Sequence, residues 1–332
     1  MALIVKCNNG IVTDEYMKLI GSALHDAGFS TQYTSDFSDA LKQPKDEIIV
    51  VARTVEAFKL VLKGYKRVIV WFQGIEPEES YMTHKSKIRY VILSSMEKYI
   101  LKKGLYFIFV SKEMLRHYEE KYKISLNKDN YYIMPCQNTE FHPEAFCSTE
   151  KYKKNIFVYT GSLAVWQKFE DTVRAYQQAE SANLHDCEFW VFTAEKDEAR
   201  RILEKHGIKK YRIDFVDSSE LPKALAEAKY GFIIREDTPV NRVATPTKIS
   251  TYLSCGLIPI YSTCLAAFSE IAKSMKYVVR YDDEFVAAIR RNEEMGIDNN
   301  DVLTEYKRIF EEYYHSSLHK DRLSGRFKSI LK

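Results

Sequence analysis

Three stretches of this sequence place chemically capable side chains directly after a strand-like run. The first carries Gly161, Ser162 and Lys168 behind the apolar run that ends at Tyr159. Glycine lets a backbone approach a ligand closely, and free N–H groups at a helix start attract phosphate. Lys168 would add positive charge; the plainer reading is a tight turn with a solvated lysine. The second runs from Arg235 through Arg242 to Thr245, Pro246, Thr247 and Lys248. Thr245 suits a helix N-cap and Pro246 the first helical position, which puts Thr247 and Lys248 in the first turn. A cation there opposes the helix dipole unless an anion compensates. Two arginines, a lysine and a positive helix terminus suit a diphosphate; the alternative is a capped helix with solvated charges. The third holds Gln73, Gly74, Glu76, Glu78 and Glu79. Carboxylates there could orient or deprotonate a substrate hydroxyl, although Glu78 and Glu79 also suit a helix start.

Short β-branched or aromatic runs have to hold these stretches in place. They fall at 3–7, 47–51, 67–72, 106–110, 131–134, 155–159, 188–192, 211–215, 230–234, 257–261 and 277–279. Amphipathic segments with helical spacing separate most of them, for example 14–27, 55–63 and 170–180. Strand–helix–strand repetition argues for parallel sheets covered on both faces. Ligands of such sheets bind beyond the carboxyl ends of the strands, where all three stretches lie. The pattern occurs twice with uneven spacing, which favours two Rossmann-like, doubly wound α/β domains facing a cleft over one barrel. A polar, Pro-containing segment at 138–154 reads as the boundary. The expected domains are 1–145 and 146–315, with a last helix over 316–332 that can cross back to the first.

The length of 332 residues suits two such domains. Hydrophobic residues make up 45% and charged residues 29%, so the chain reads as globular. A net charge of +3 gives no reason to expect nucleic acid. The six cysteines, Cys7, Cys136, Cys147, Cys187, Cys255 and Cys264, form no CxxC pair and read as reduced thiols, mostly buried. The first residues lack the features of a signal peptide, and no apolar run reaches the roughly 18 residues of a spanning helix. A cytoplasmic protein is expected. The stretch from His84, Lys85, Lys87 and Arg89 to Lys98, Lys102 and Lys103 reads as one long basic helix that can rest on an anionic membrane, or as an ordinary packed helix. His25, His117, His185 and His206 read as surface residues. Trp166 either stacks on a ligand or packs between domains.

Gly161, Ser162, Leu163 and Lys168, then Val216 to Leu221, then Pro246, Thr247, Lys248 and the run Tyr252-Leu253-Ser254-Cys255-Gly256-Leu257-Ile258-Pro259-Ile260 resemble the C-terminal half of group 1 glycosyltransferases of the GT-B fold. The segments around Trp71 to Glu79 and Phe109 to Ser111 resemble first-domain elements of the same family, and the nearest look is that of bacterial enzymes building surface polysaccharides. The resemblance implies a nucleoside-diphosphate-sugar donor on the second domain and a glycan or lipid-linked acceptor on the first, near Gln73, Gly74 and Glu76. It implies transfer with retention and no metal or other cofactor. Gly161, Ser162, Pro246 and Thr247 would meet the diphosphate, and Lys168, Lys248 and Arg235 would neutralise it. Thr251 and Val216 fall in the ribose and base region. The family usually has a ribose-binding glutamate where this chain has Thr251, and another where it has Val243. That departure keeps a second reading open, a catalytically inactive partner subunit of the same fold. A third is another sugar enzyme of this architecture, such as an epimerase or phosphorylase.

Overall fold

The computed structural model describes residues 1–6, 11–148, 150–181, 184, 186–217 and 219–331. Cys7, His185 and Ser218 lie outside the described residues. The chain forms two compact units, Met1–Pro135 with His315–Lys332, and Cys136–Tyr314.

The first unit runs β1 (Ala2–Val5), α1 (Ile11–Asp26), β2 (Thr31–Thr34), α2 (Phe37–Ala40), β3 (Ile48–Val51), α3 (Thr54–Leu62), β4 (Arg67–Phe72), α4 (Glu76–His84), α5 (Lys87–Lys103), β5 (Tyr106–Phe109), α6 (Lys112–Tyr122) and β6 (Tyr131–Ile133). A C-terminal helix, Ser316–Ile330, packs on α1. The six strands form one parallel sheet in the order β2-β1-β3-β4-β5-β6. Every residue of β1, β3 and β5 is buried, as strands covered on both faces require. Their aliphatic and aromatic runs are therefore continuous rather than alternating.

The second unit contains β7 (Ile156–Thr160), α7 (Phe169–Glu180), β8 (Glu188–Phe192), α8 (Lys196–Lys205), β9 (Tyr211–Asp214), α9 (Leu221–Leu225), β10 (Tyr230–Ile233), α10 (Pro239–Val243), α11 (Thr247–Ser254), β11 (Ile258–Ser262), α12 (Ala266–Ala272), β12 (Val279–Tyr281), α13 (Phe285–Met295) and α14 (Asn299–Ile309). Its parallel sheet has the order β12-β11-β10-β7-β8-β9. Connections run one way from β7 and the other way from β10. These neighbours therefore flank the topological switch point, where the loops diverge and leave a crevice for a ligand. Stacked rings of Phe157, Tyr230 and Phe232 fill the core beneath it.

Two expectations change. The stretch 84–103 is not one helix: α4 ends at His84, Lys85 takes a left-handed conformation, and Ser86 caps α5 by accepting from Arg89 N. The strand β2 was not expected, because its sequence Thr-Gln-Tyr-Thr is polar; it lies at the sheet edge, half exposed. Among the described cysteines none is bonded to another, and Cys147 is exposed rather than buried.

Candidate functional site

In the second unit, the switch point gathers the residues after β7 and β10. Gly161 follows β7 with φ +116°, and a Cβ there would lie 2.9 Å from Lys248 Cε. Glycine is thus required both by conformation and by the close approach of the lysine. Lys248 reaches this point from the first turn of α11. Its Nζ donates to Gln167 Oε1 at 2.6 Å and lies 4.1 Å from the Tyr159 ring centroid. Arg235 follows β10; its backbone N donates to Ser262 Oγ at 2.8 Å and its Nη1 to the Trp166 carbonyl at 3.0 Å. The Arg235 Nε is buried with no hydrogen-bond partner.

Nearby carboxylates leave this pair of cations unmatched. Glu236 pairs with Lys168 at 3.2 Å. Asp237 holds Arg242 through two hydrogen bonds, 2.6 and 2.9 Å, out in solvent. Arg242 is therefore not one of the converging charges, and Lys168 is already partnered. Neither Arg235 nor Lys248 has an ion-pair partner among the described residues. Burial, then the neighbouring Arg235 charge, holds the Lys248 ammonium well below its ordinary pKa. Burial likewise lowers Arg235. Two adjacent cations that lose hydration without gaining a counter-charge would be stabilised by an anion placed between them.

The helix under Lys248 is set by packing. Gly231 on β10 has no Cβ, and that space holds the Tyr252 ring, 2.4 Å from where the Cβ would stand. Tyr252 OH accepts from Thr160 N at 3.1 Å, which ties α11 to the end of β7. Lys248 sits one turn earlier on the same face. Gly256, with φ +71°, ends α11, where Leu257 N bonds back to Tyr252 O at 2.8 Å.

The start of α11 differs from expectation. Its N-cap is Pro246, with no side-chain cap, and Thr247 begins the helix. Thr245 instead accepts from Cys136 N at 3.0 Å. The first amides of α11 are thus left without a side-chain acceptor, which suits an anion better than the expected cap would. Thr251 is buried, its hydroxyl 2.9 Å from Asn138 Oδ1 and 3.1 Å from Thr247 O. Ser162 is exposed and its carbonyl accepts from Tyr159 OH at 2.5 Å. Val216 follows β9 and packs half-buried against the core, while Val243 is buried. Trp166 is 44% exposed, and the structure uses its carbonyl rather than its ring. Gln167 and Tyr159, which hold Lys248, carried no sequence signal of their own.

In the first unit, the turn between β4 and α4 presents Gln73, exposed, with its Oε1 accepting from Thr13 at 3.1 Å. Gly74 leaves no room for a Cβ, because Glu79 Oε1 would lie 1.9 Å away. Glu76 Oε2 accepts from Thr54 N at 3.3 Å, so this carboxylate helps to start α3. Glu78 does more than begin a helix: it pairs with Lys121 at 2.7 Å and faces His117 at 3.3 Å. His117 is accordingly mostly buried rather than a surface residue, and His206, 2.9 Å from Glu170, is too.

Among the described residues, no group of three or more His, Cys, Asp or Glu is placed to hold a metal ion. No helix among them is long and apolar enough to cross a membrane.

Several solved structures are similar to this chain. One is a sucrose-phosphate synthase from Thermosynechococcus elongatus, with a TM-score of 0.68 and 13% identity over 99% of this chain and 98% of that one. Another is the lipopolysaccharide outer core galactosyltransferase WaaB, with a TM-score of 0.63 and 12% identity over 97% of this chain and 98% of that one. A third is S. aureus TarM in complex with Fondaparinux, alpha-GlcNAc-glycerol and UDP, with a TM-score of 0.56 and 11% identity over 86% of this chain; the chain spans 55% of the length of that protein. No family model and no curated protein sequence matches the chain. The likeness shows the fold, two Rossmann-like domains of the GT-B type.

Proposed function

We propose that on this GT-B fold the chain works as a glycosyltransferase, with a nucleoside-diphosphate sugar held at the switch point of the second unit. The observation that carries the reading is the pair Arg235 and Lys248, two cations without a carboxylate at the carboxyl end of β10 and beside Gly161. A diphosphate supplies the missing counter-charge. When the bond from the anomeric carbon to the β-phosphate oxygen breaks, its electron pair passes to that oxygen. Arg235, Lys248 and the first amides of α11 would stabilise the charge as it develops. The acceptor hydroxyl bonds to the same carbon with retention, and its proton goes to the leaving phosphate. On this reading side chains do the neutralising, and no metal or other cofactor is required. The solved complex of TarM with UDP, and the galactosyltransferase named above, support a nucleotide-sugar donor and a surface-polysaccharide acceptor. A glycan or lipid-linked glycan would meet Gln73, Gly74 and Glu76 in the first unit.

A thermal-shift screen of the purified protein against UDP, GDP, CDP, dTDP and ADP tests the donor. A ligand at a hundredfold excess over its Kd raises stability by about 2.7 kcal/mol if it binds only the folded state. A shift with one nucleotide that Lys248→Met abolishes supports the reading, and a flat panel rejects it. One observation favours the second reading, a non-catalytic partner subunit: the Thr251 hydroxyl is already engaged by Asn138. Nucleotide binding without transfer to any glycan acceptor would select it.

The site of action would be the inner face of the plasma membrane, reached peripherally from the cytoplasm. Tyr81 on α4 and Ile88, Val91 and Ile92 on α5 are exposed, Ile88 at 75%. The three α5 residues recur at helical spacing on one face. His84, Lys85, Lys87, Arg89 and Lys98 fringe them and are exposed as well. An apolar stripe with a basic border suits an anionic lipid surface.

A further inference from the structure

We infer that Glu97 is a positioning residue for the turn between β4 and α4, acting through Tyr118 on the Gly74 carbonyl. Its relevance to transfer rests on the reading of that turn as the acceptor contact.

Glu97 and Tyr118 are fully buried. Tyr118 OH lies 3.1 Å from Gly74 O and 3.3 Å from Glu97 Oε1, while Tyr122 OH donates to Glu97 Oε2 at 2.6 Å. A phenol has one proton to donate. If Glu97 is protonated, it donates to the Tyr118 oxygen, Tyr118 donates to Gly74, and every group is satisfied. If Glu97 is ionised, it draws the Tyr118 proton to itself, and the Gly74 carbonyl loses its donor.

The charges around the cluster favour the protonated form. Lys121 on α6 is the one lysine facing it among the described residues, 2.7 Å from Glu78 on α4 and 3.6 Å from Glu97 on α5. His117 Nε2 lies 3.3 Å and Tyr90 OH 3.2 Å from Glu78 Oε1. Glu79, also on α4, contributes another carboxylate beside Gly74. Glu78 answers the Lys121 charge, which leaves Glu97 as a surplus buried carboxylate. Burial pushes its carboxyl up to about 8, against the pull of Lys121 and Tyr122. The turn is therefore held while Glu97 keeps its proton and loosens as pH rises through that value.

Hydrogen exchange over residues 72–82, corrected for the intrinsic pH dependence, tests this without any acceptor. In the parent, protection should fall about fivefold between pH 6.5 and 9.5, the worth of one net hydrogen bond. Glu97→Gln, which can still donate to Tyr118 and accept from Tyr122, should hold the low-pH protection throughout. Tyr118→Phe should be low at every pH. A flat parent profile, or the same fall in parent and Glu97→Gln, overturns the inference. If Glu97→Gln does not fold, the parent profile and Tyr118→Phe decide it. Failure of the acceptor reading would appear elsewhere, as an unchanged acceptor KM in Gln73→Ala.

Discussion

Replacing Lys248 with methionine removes a charge but keeps a long side chain against Tyr159. The ammonium lies beside a second cation and, among the described residues, shares no carboxylate and donates only to Gln167. Loss of one preorganised charge-stabilising group costs about 2–4 kcal/mol of transition-state stabilisation. That is a fall of roughly 30- to 1000-fold in kcat/KM. Protonation gives a second, independent signature. Burial, then Arg235, holds Lys248 well below its ordinary 10.5 in the ligand-free protein. On the proposed reading a bound diphosphate would raise it again, so binding should take up a proton in the pH window between the two values. Nucleotide affinity should fall as pH rises through that window, by up to about tenfold per pH unit. The ligand-free fold should gain stability as pH climbs from the depressed value toward 10.5, because the unfolded chain then binds more protons. Titration calorimetry in two buffers of different ionisation heat reads the uptake directly. Equal affinity in parent and Lys248→Met, with no proton taken up by either, would refute the reasoning.

Gly161→Ala should cost about 1–3 kcal/mol, since it forces a side chain into positive φ against Lys248; thermal melts and the nucleotide shift report it together. Changing Ile88, Val91 and Ile92 to serine should abolish flotation with anionic liposomes and leave the melting temperature in place; unchanged flotation removes the membrane surface. Neutralising Lys85, Lys87 and Arg89 should weaken the same binding by about 1 kcal/mol per charge, less at high salt. Glu293→Ala strands the buried Lys229, whose partner it is at 2.5 Å, and should destabilise by about 3–5 kcal/mol in chemical denaturation.

The strands that packing buries were legible because a strand covered on both faces must be apolar throughout; β1, β3 and β5 are examples. The polar edge strand β2 was not, since its pairing comes from β1 and not from its own composition. The placement of Lys248 in the first turn of α11 was legible because Pro246 before it marks a helix start. The roles of Lys168 and Arg242 were not, because Glu236 and Asp237 claim them through geometry that spacing does not encode. Thr245 is a good cap by type, yet its hydroxyl went to the backbone of Cys136, a residue 109 positions away. The long basic helix failed for a local reason: Lys85 adopts a left-handed turn, a conformation no lysine advertises.

The lodging of Tyr252 in the space of the missing Cβ at Gly231 constrains how this sequence can diverge. A side chain at 231 is admissible only after the ring at 252 has shrunk, and a smaller residue at 252 opens a void beside the strand until 231 has grown. Each single step passes through a poorer fold in which the lysine one turn upstream loses its footing. The two positions should therefore drift as a pair, and a descendant that has changed one will have changed the other.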